Sequence, residues 1–171
     1  MIAALSQVFP EVISEPPTDM NKAQRIFQLA QEGADAYRMF KARRAGAGTV
    51  FVNEVINHLK SVVAQEFGSG VVNPFLSKEN RQSVDFWLAD EQTIMEMEFN
   101  TFSSTPVLEK LVFKALLAKD AGYDVRQLIL ISDPGSVLLS QAPTQVSVIN
   151  WVERHHHIHT QIWELKDRDK P

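Results

Sequence analysis

Three carboxylates in the stretch SVDFWLADEQTIMEMEFN are placed where they could act together: Asp85, Glu96 and Glu98. On one side of a short polar connection at residues 89–92, Val84, Phe86 and Leu88 alternate with Ser83, Asp85 and Trp87. On the other side Met95, Met97 and Phe99 alternate with Ile94, Glu96 and Glu98. A period of two marks half-buried strands, and so short a link between two of them predicts a hairpin. Closure between Asp90 and Glu91 sets 88 opposite 93, 87 opposite 94, 86 opposite 95 and 85 opposite 96.

Asp85 then faces Glu96 with side-chain origins about 4.5–5.5 Å apart, and Glu98 follows on the same face. Like charges so placed repel. A divalent cation such as Mg²⁺ or Mn²⁺, which takes oxygen ligands, would relieve the repulsion. One carboxyl with a raised pKa would also relieve it. A plain solvated acidic face is the third possibility.

Positioning these groups falls to the flanking elements. Residues 1–18 hold Pro10, Pro16 and Pro17 and read as an irregular lead-in. Thr18 and Asp19 offer caps for a helix to about Arg44, with Ile26, Leu29, Ala30, Ala34, Tyr37 and Phe40 near helical spacing. Its basic ends, from Lys22 and Arg25 to Arg43 and Arg44, suit a solvated surface or a phosphate-contacting arm. AGAG at 45–48 breaks the chain, and Thr49 caps a helix to Phe67 that Gly68 and Gly70 stop. A short strand is expected at 71–75, ahead of the hairpin.

Beyond the hairpin, Thr105 and Pro106 start a helix that runs to about Asp120, and Gly122 ends it. The run Leu128, Ile129, Leu130, Ile131 predicts a strand buried on both faces. Strand, helix and buried strand imply a parallel crossover. A helix from Pro143 to near Arg154 and an edge strand from Ile158 to Leu165 complete the chain.

The chain has 171 residues, no Cys, and a net charge of -4. One domain of ordinary size accommodates this length. The expected division is a lead-in and helix over 1–48, a core over 49–132 and a C-terminal extension over 133–171. Without Cys there are no disulfides, thiolate metal sites or thiol catalysis, which suits the cytoplasm. Glu11 and Glu15 interrupt the N-terminal apolar run, so no signal peptide is expected, and no run reaches the roughly 20 apolar residues of a membrane span. A slightly acidic chain has no general field for nucleic acid; such binding needs local basic patches or bound cations. GxxxxGK[ST], GxGxxG and GxSxG are all absent.

Helix, strand, a hairpin carrying Asp and Glu-x-Glu, helix and buried strand together resemble the PD-(D/E)XK nuclease superfamily over residues 50–132. The matching residues are Asp85 within Val84-Asp85-Phe86, then Glu96, Met97 and Glu98. The family's usual Lys is absent, and Glu98 in its place resembles the restriction endonucleases of the BamHI and BglII type. The resemblance implies an α/β fold with a restriction-endonuclease-like αβββαβ core, its mixed central sheet flanked by helices. It further implies a Mg²⁺-dependent (or Mn²⁺-dependent) DNA endonuclease, a homodimer if both strands are cut. Asp85 and Glu96 would bind the metal through side chains and Met97 through its carbonyl. Glu98 would orient or deprotonate the attacking water or help bind a second metal. Glu54 matches a carboxylate often found on the family's first helix. The rival is a catalytically inactive DNA-binding or interaction protein on the same fold.

Other residues have plainer readings beside functional ones. Glu54 is also well placed as a helix-start carboxylate, and Glu66 lies at the far end of the same helix. Lys110 and Lys114, four apart on one helix face, are ordinary surface lysines or the missing positive charge. His155, His157 and His159 would share a face only in a strand, so a polar edge is favoured over a metal site. Trp151 and Trp163 fit a core better than a base-stacking platform.

Overall fold

The computed structural model describes residues 20–43, 49–74, 83–98, 105–132 and 142–166. Helix α1 spans Lys22–Arg43, and Asn21 starts it. Asn21 Oδ1 accepts the Gln24 N–H at 2.8 Å and Gln24 Oε1 accepts the Asn21 N–H at 3.1 Å. This reciprocal box satisfies two amides that a helix start otherwise leaves without partners. Thr18 and Asp19, the expected caps, lie outside the described residues.

Helix α2 spans Thr49–Phe67 and gives way at Gly68, whose φ of 95° a residue with a Cβ rarely adopts. A single 3₁₀ turn, Ser69–Val71, follows. The strand expected at 71–75 shrinks to one bridge, Val72 to Phe86. The two helices are joined by an ion pair: Arg25, only 2% exposed, donates to Glu66 at 3.1 Å. The phosphate-arm reading therefore fails for Arg25, whose guanidinium is committed inside the fold. Lys22 likewise pairs with Asp90 at 2.7 Å.

Strands β1 (Phe86–Leu88) and β2 (Thr93–Glu98) form the hairpin in the expected register, with Phe86 opposite Met95, Trp87 opposite Ile94 and Leu88 opposite Thr93. Gln92, in the left-handed region at φ 51°, closes the four-residue turn. That turn docks on the start of α1, where the Glu91 carboxylate accepts the Lys22 N–H at 2.8 Å and the Ala23 N–H at 3.3 Å. A carboxylate at a helix N-terminus also meets the favourable end of the helix dipole.

Helix α3 (Thr105–Asp120) ends in a left-handed Gly122, φ 93°. Tyr123 N–H reaches the Ala118 carbonyl at 3.1 Å and Gly122 N–H reaches Lys119 at 3.0 Å, which closes the last turn as a Schellman motif. Strand β3 (Gln127–Ser132) runs parallel to β2, and β4 (His159–Glu164) runs parallel to β3 after helix α4 (Pro143–His156). The protein is thus an α/β fold in which helices flank a mixed sheet of order β1-β2-β3-β4.

Each sheet face has its own apolar layer. Phe86, Leu88, Met95, Met97, Ile129 and Ile131 pack with residues of α1 and α2. Ile94, Leu128 and Leu130 pack with α3 and with Val152 of α4. Full burial of side chains of this size contributes about 1.5–3 kcal/mol each. Val84 departs from the expected alternation: it belongs to the α3 layer, although Phe86 belongs to the α2 layer. The chain bends at Asp85 between them, so β1 is three residues long rather than six.

Candidate active site at the hairpin

The bend decides where the Asp85 carboxylate goes. Its Oδ2 accepts the Met97 backbone N–H at 2.9 Å, taking the place of the strand partner that β1 no longer provides. Its Oδ1 accepts the Lys60 ammonium of α2 at 2.5 Å. Lys60 also donates to Asn73 Oδ1 at 2.8 Å, and the Asn73 N–H returns to the Asp85 carbonyl at 3.0 Å.

Glu96 lies one register step from Met95 and points into the opposite layer, beside Ile94. It is 4% exposed, and Lys114 of α3 donates to its Oε1 at 2.8 Å. Burial, then the Asp85 charge, push the Glu96 carboxyl up from 4.5 to about 7 against the opposing pull of Lys114. The Asp85 carboxylate, to which only a protonated Glu96 could donate, adds a smaller upward push. The ladder ends at Phe86 and Met95, so Asp85 does not pair with Glu96 in register, but its charge still acts on Glu96, and a lysine meets each carboxylate.

Glu98 does not complete the expected cluster of three. It is partly exposed at the end of β2, and no group of three acids or histidines able to hold a metal occurs among the described residues. The reason is the bend, which turns Asp85 toward the β2 backbone and Lys60 instead of leaving it in line with Glu96 and Glu98. In extended backbone the N–H and C=O of one residue point to the same neighbour. The Met97 carbonyl therefore faces the Asp85 side, as its N–H does. Glu54 lies on α2, but its side chain is outside the described residues, as is Phe99.

Lys114, and not the exposed Lys110, supplies positive charge to the pair. Lys60 is not singled out by the sequence pattern as a partner of the carboxylates. It sits four residues after Ile56 and three before Val63, inside the apolar arc of its helix, and a lysine on such an arc is the signal that could have found it. Glu66 is engaged by Arg25, away from the carboxylate pair.

The histidines share no strand face. His155 and His156 end α4, His157 caps it at φ 54°, and His159 begins β4, where it meets Glu153 at 3.2 Å. Trp163 packs edge-on against Phe27 at 5.4 Å, as a core residue does. Trp151 is instead 48% exposed, with its ring 4.8 Å from that of His156. Among the described residues no helix is long and apolar enough to cross a membrane.

No family model, curated protein or solved structure matches the chain.

Proposed function

We propose that the chain is a metal-dependent DNA endonuclease with a restriction-endonuclease-like αβββαβ core. One observation carries this reading: burial of Glu96, and after it the neighbouring Asp85 charge, push the Glu96 carboxyl up to about 7. Strongly perturbed acids in contact are concentrated at functional sites. The element order supports it, with α2, a bridge at Val72, the β1–β2 hairpin, α3 and a parallel β3.

The donor set suits a hard divalent cation, because two carboxylates and a carbonyl on the Asp85 side offer only oxygen. Asp85, Glu96 and the Met97 carbonyl would hold Mg²⁺ or Mn²⁺, which when bound supplies charge neutralisation and an acidified water. In hydrolysis the water oxygen forms a bond to phosphorus as the bond to the ester oxygen breaks, and that oxygen leaves with the electron pair and takes a proton from solvent. Glu98, two residues along from Glu96, takes up the water proton. Lys114 brings the positive charge that the Glu-x-Glu strand lacks. A homodimer would place two such sites for cutting both strands.

A second reading is favoured by the ion pairs themselves. Lys60 and Lys114 already neutralise both carboxylates, as they would in a catalytically inactive DNA-binding or interaction protein on the same fold. Incubation of plasmid DNA with Mg²⁺, Mn²⁺ or chelator separates the two. Cutting that requires metal and disappears in Glu96→Ala is expected of the nuclease. Intact plasmid in both metals, together with retained DNA binding, selects the inactive protein.

A further inference from the structure

Lys60 and Lys114 serve the carboxylate pair from opposite faces of the sheet, and their surroundings differ. Lys114 reaches Glu96 alone among the acceptors described above, whereas the Lys60 ammonium has two acceptors, Asp85 Oδ1 and Asn73 Oδ1. Asn73 is fixed independently, in the left-handed region at φ 46° and through its N–H to the Asp85 carbonyl. Asn73 is therefore a second post for the ammonium, whatever happens to the Asp85 carboxylate.

Both Asp85 oxygens are engaged, Oδ2 by the Met97 N–H and Oδ1 by Lys60. A divalent cation that takes Oδ1 meets an ammonium already in place, and two cations at one oxygen repel. The backbone amide stays where the strand holds it. The lysine can yield, because its side chain keeps 15% exposure and its four-carbon stem is flexible. Once displaced, the ammonium remains next to the site on its Asn73 post, where its charge and the donors that Asp85 no longer takes are left for an anion.

We propose that Lys60 couples divalent-cation binding to phosphate binding: it occupies Asp85 in the cation-free chain and becomes a phosphate ligand when the cation displaces it. This rests on the metal-dependent reading above. Coupling of this kind is reciprocal, so cation strengthens DNA binding and DNA strengthens cation binding by the same factor.

The test uses the full chain, the parent against Lys60→Gln. Calorimetric titration with Mn²⁺ alone should give binding about tenfold tighter in Lys60→Gln, since the competing charge is gone. Anisotropy with a short labelled duplex should show that the affinity gained on adding Ca²⁺ shrinks in the same variant. Mn²⁺ binding unchanged or weaker in a folded Lys60→Gln overturns the coupling while leaving the metal site standing. No Mn²⁺ binding by the parent overturns both. Should Lys60→Gln fail to fold, Asn73→Ala carries the test, because it keeps the charge and removes the post. Mn²⁺ affinity should then persist while the Ca²⁺-dependent gain falls, and an undiminished gain overturns the proposal.

Discussion

Asp85 Oδ2 accepts the Met97 backbone N–H at 2.9 Å, which ties the bend before β1 to β2 beyond the last pair of the hairpin ladder. The carboxylate thus completes the sheet edge with one oxygen and holds Lys60 with the other. Its structural and chemical duties are separable by substitution.

Asp85→Ala should destabilise the protein by about 2–4 kcal/mol, because it leaves a buried N–H without an acceptor and a mostly buried ammonium without its countercharge, held by Asn73 alone. Asp85→Asn keeps an oxygen for Met97 and should cost distinctly less, while still abolishing cation binding. Urea denaturation of the three proteins checks this; equal stability of the Ala variant and the parent would show that neither contact supports the fold.

Glu96 makes stability depend on pH. Its folded value of about 7 lies above the ordinary 4.5, so the folded chain keeps a proton that the unfolded chain has released. Stability contributed by that proton is full below about 4.5 and is lost as pH rises toward 7. The loss is at most about 3 kcal/mol. Glu96→Gln, which cannot titrate and still offers Lys114 an oxygen, should flatten this slope. Denaturation curves at several pH values decide the matter, and parallel slopes in variant and parent would assign the effect to another group.

Glu91 caps a helix from sixty-eight or more residues away, through the Lys22 and Ala23 amides. Glu91→Ala should lower stability by about 1–2 kcal/mol, within the range of lost helix caps. Glu91→Gln, with one oxygen still able to accept, should recover part of it. Thermal melting measures both, and a neutral Ala variant would mean that water replaces the cap without cost.

The Arg25–Glu66 pair has one partner deep in the fold, with its side chain 3% exposed. Glu66→Ala should cost about 3–5 kcal/mol by leaving the guanidinium uncompensated. Because the pair is shielded, 1 M salt should change that cost little, unlike the exposed pair of Lys22 and Asp90. A cost that collapses in salt would mark Arg25–Glu66 as a surface contact.

The hairpin register was legible because a period of two and a four-residue link admit few alternatives, and Leu88 does meet Thr93. Helices α3 and α4 and strands β3 and β4 were legible for a similar reason, with Pro, Gly and apolar runs marking their ends. The bend at Asp85 was not, because Ser83 to Leu88 alternates regularly and only the three-dimensional competition for Asp85 breaks the pattern. Lys60 was hidden because its partner lies 25 residues away, and Lys114 was one of two equivalent candidates until α3 was seated on the sheet. The α1 cap escaped notice because half of it, Glu91, comes from the hairpin turn.

The sheet topology also sets an order of assembly. Leu88 and Thr93 are near neighbours in the chain, whereas Thr93 pairs with Gln127 and Gln127 with His159, each across more than thirty residues. A hairpin closes in about 1–10 μs, and distant parallel pairings come later because their loops are costly to close. The acids are therefore brought together early in folding, before α2 and α3 deliver their lysines. The nascent hairpin meets the Asp85–Glu96 repulsion uncompensated and before burial has raised the Glu96 carboxyl, so only solution acidic enough to protonate ordinary carboxylates should quicken this earliest step.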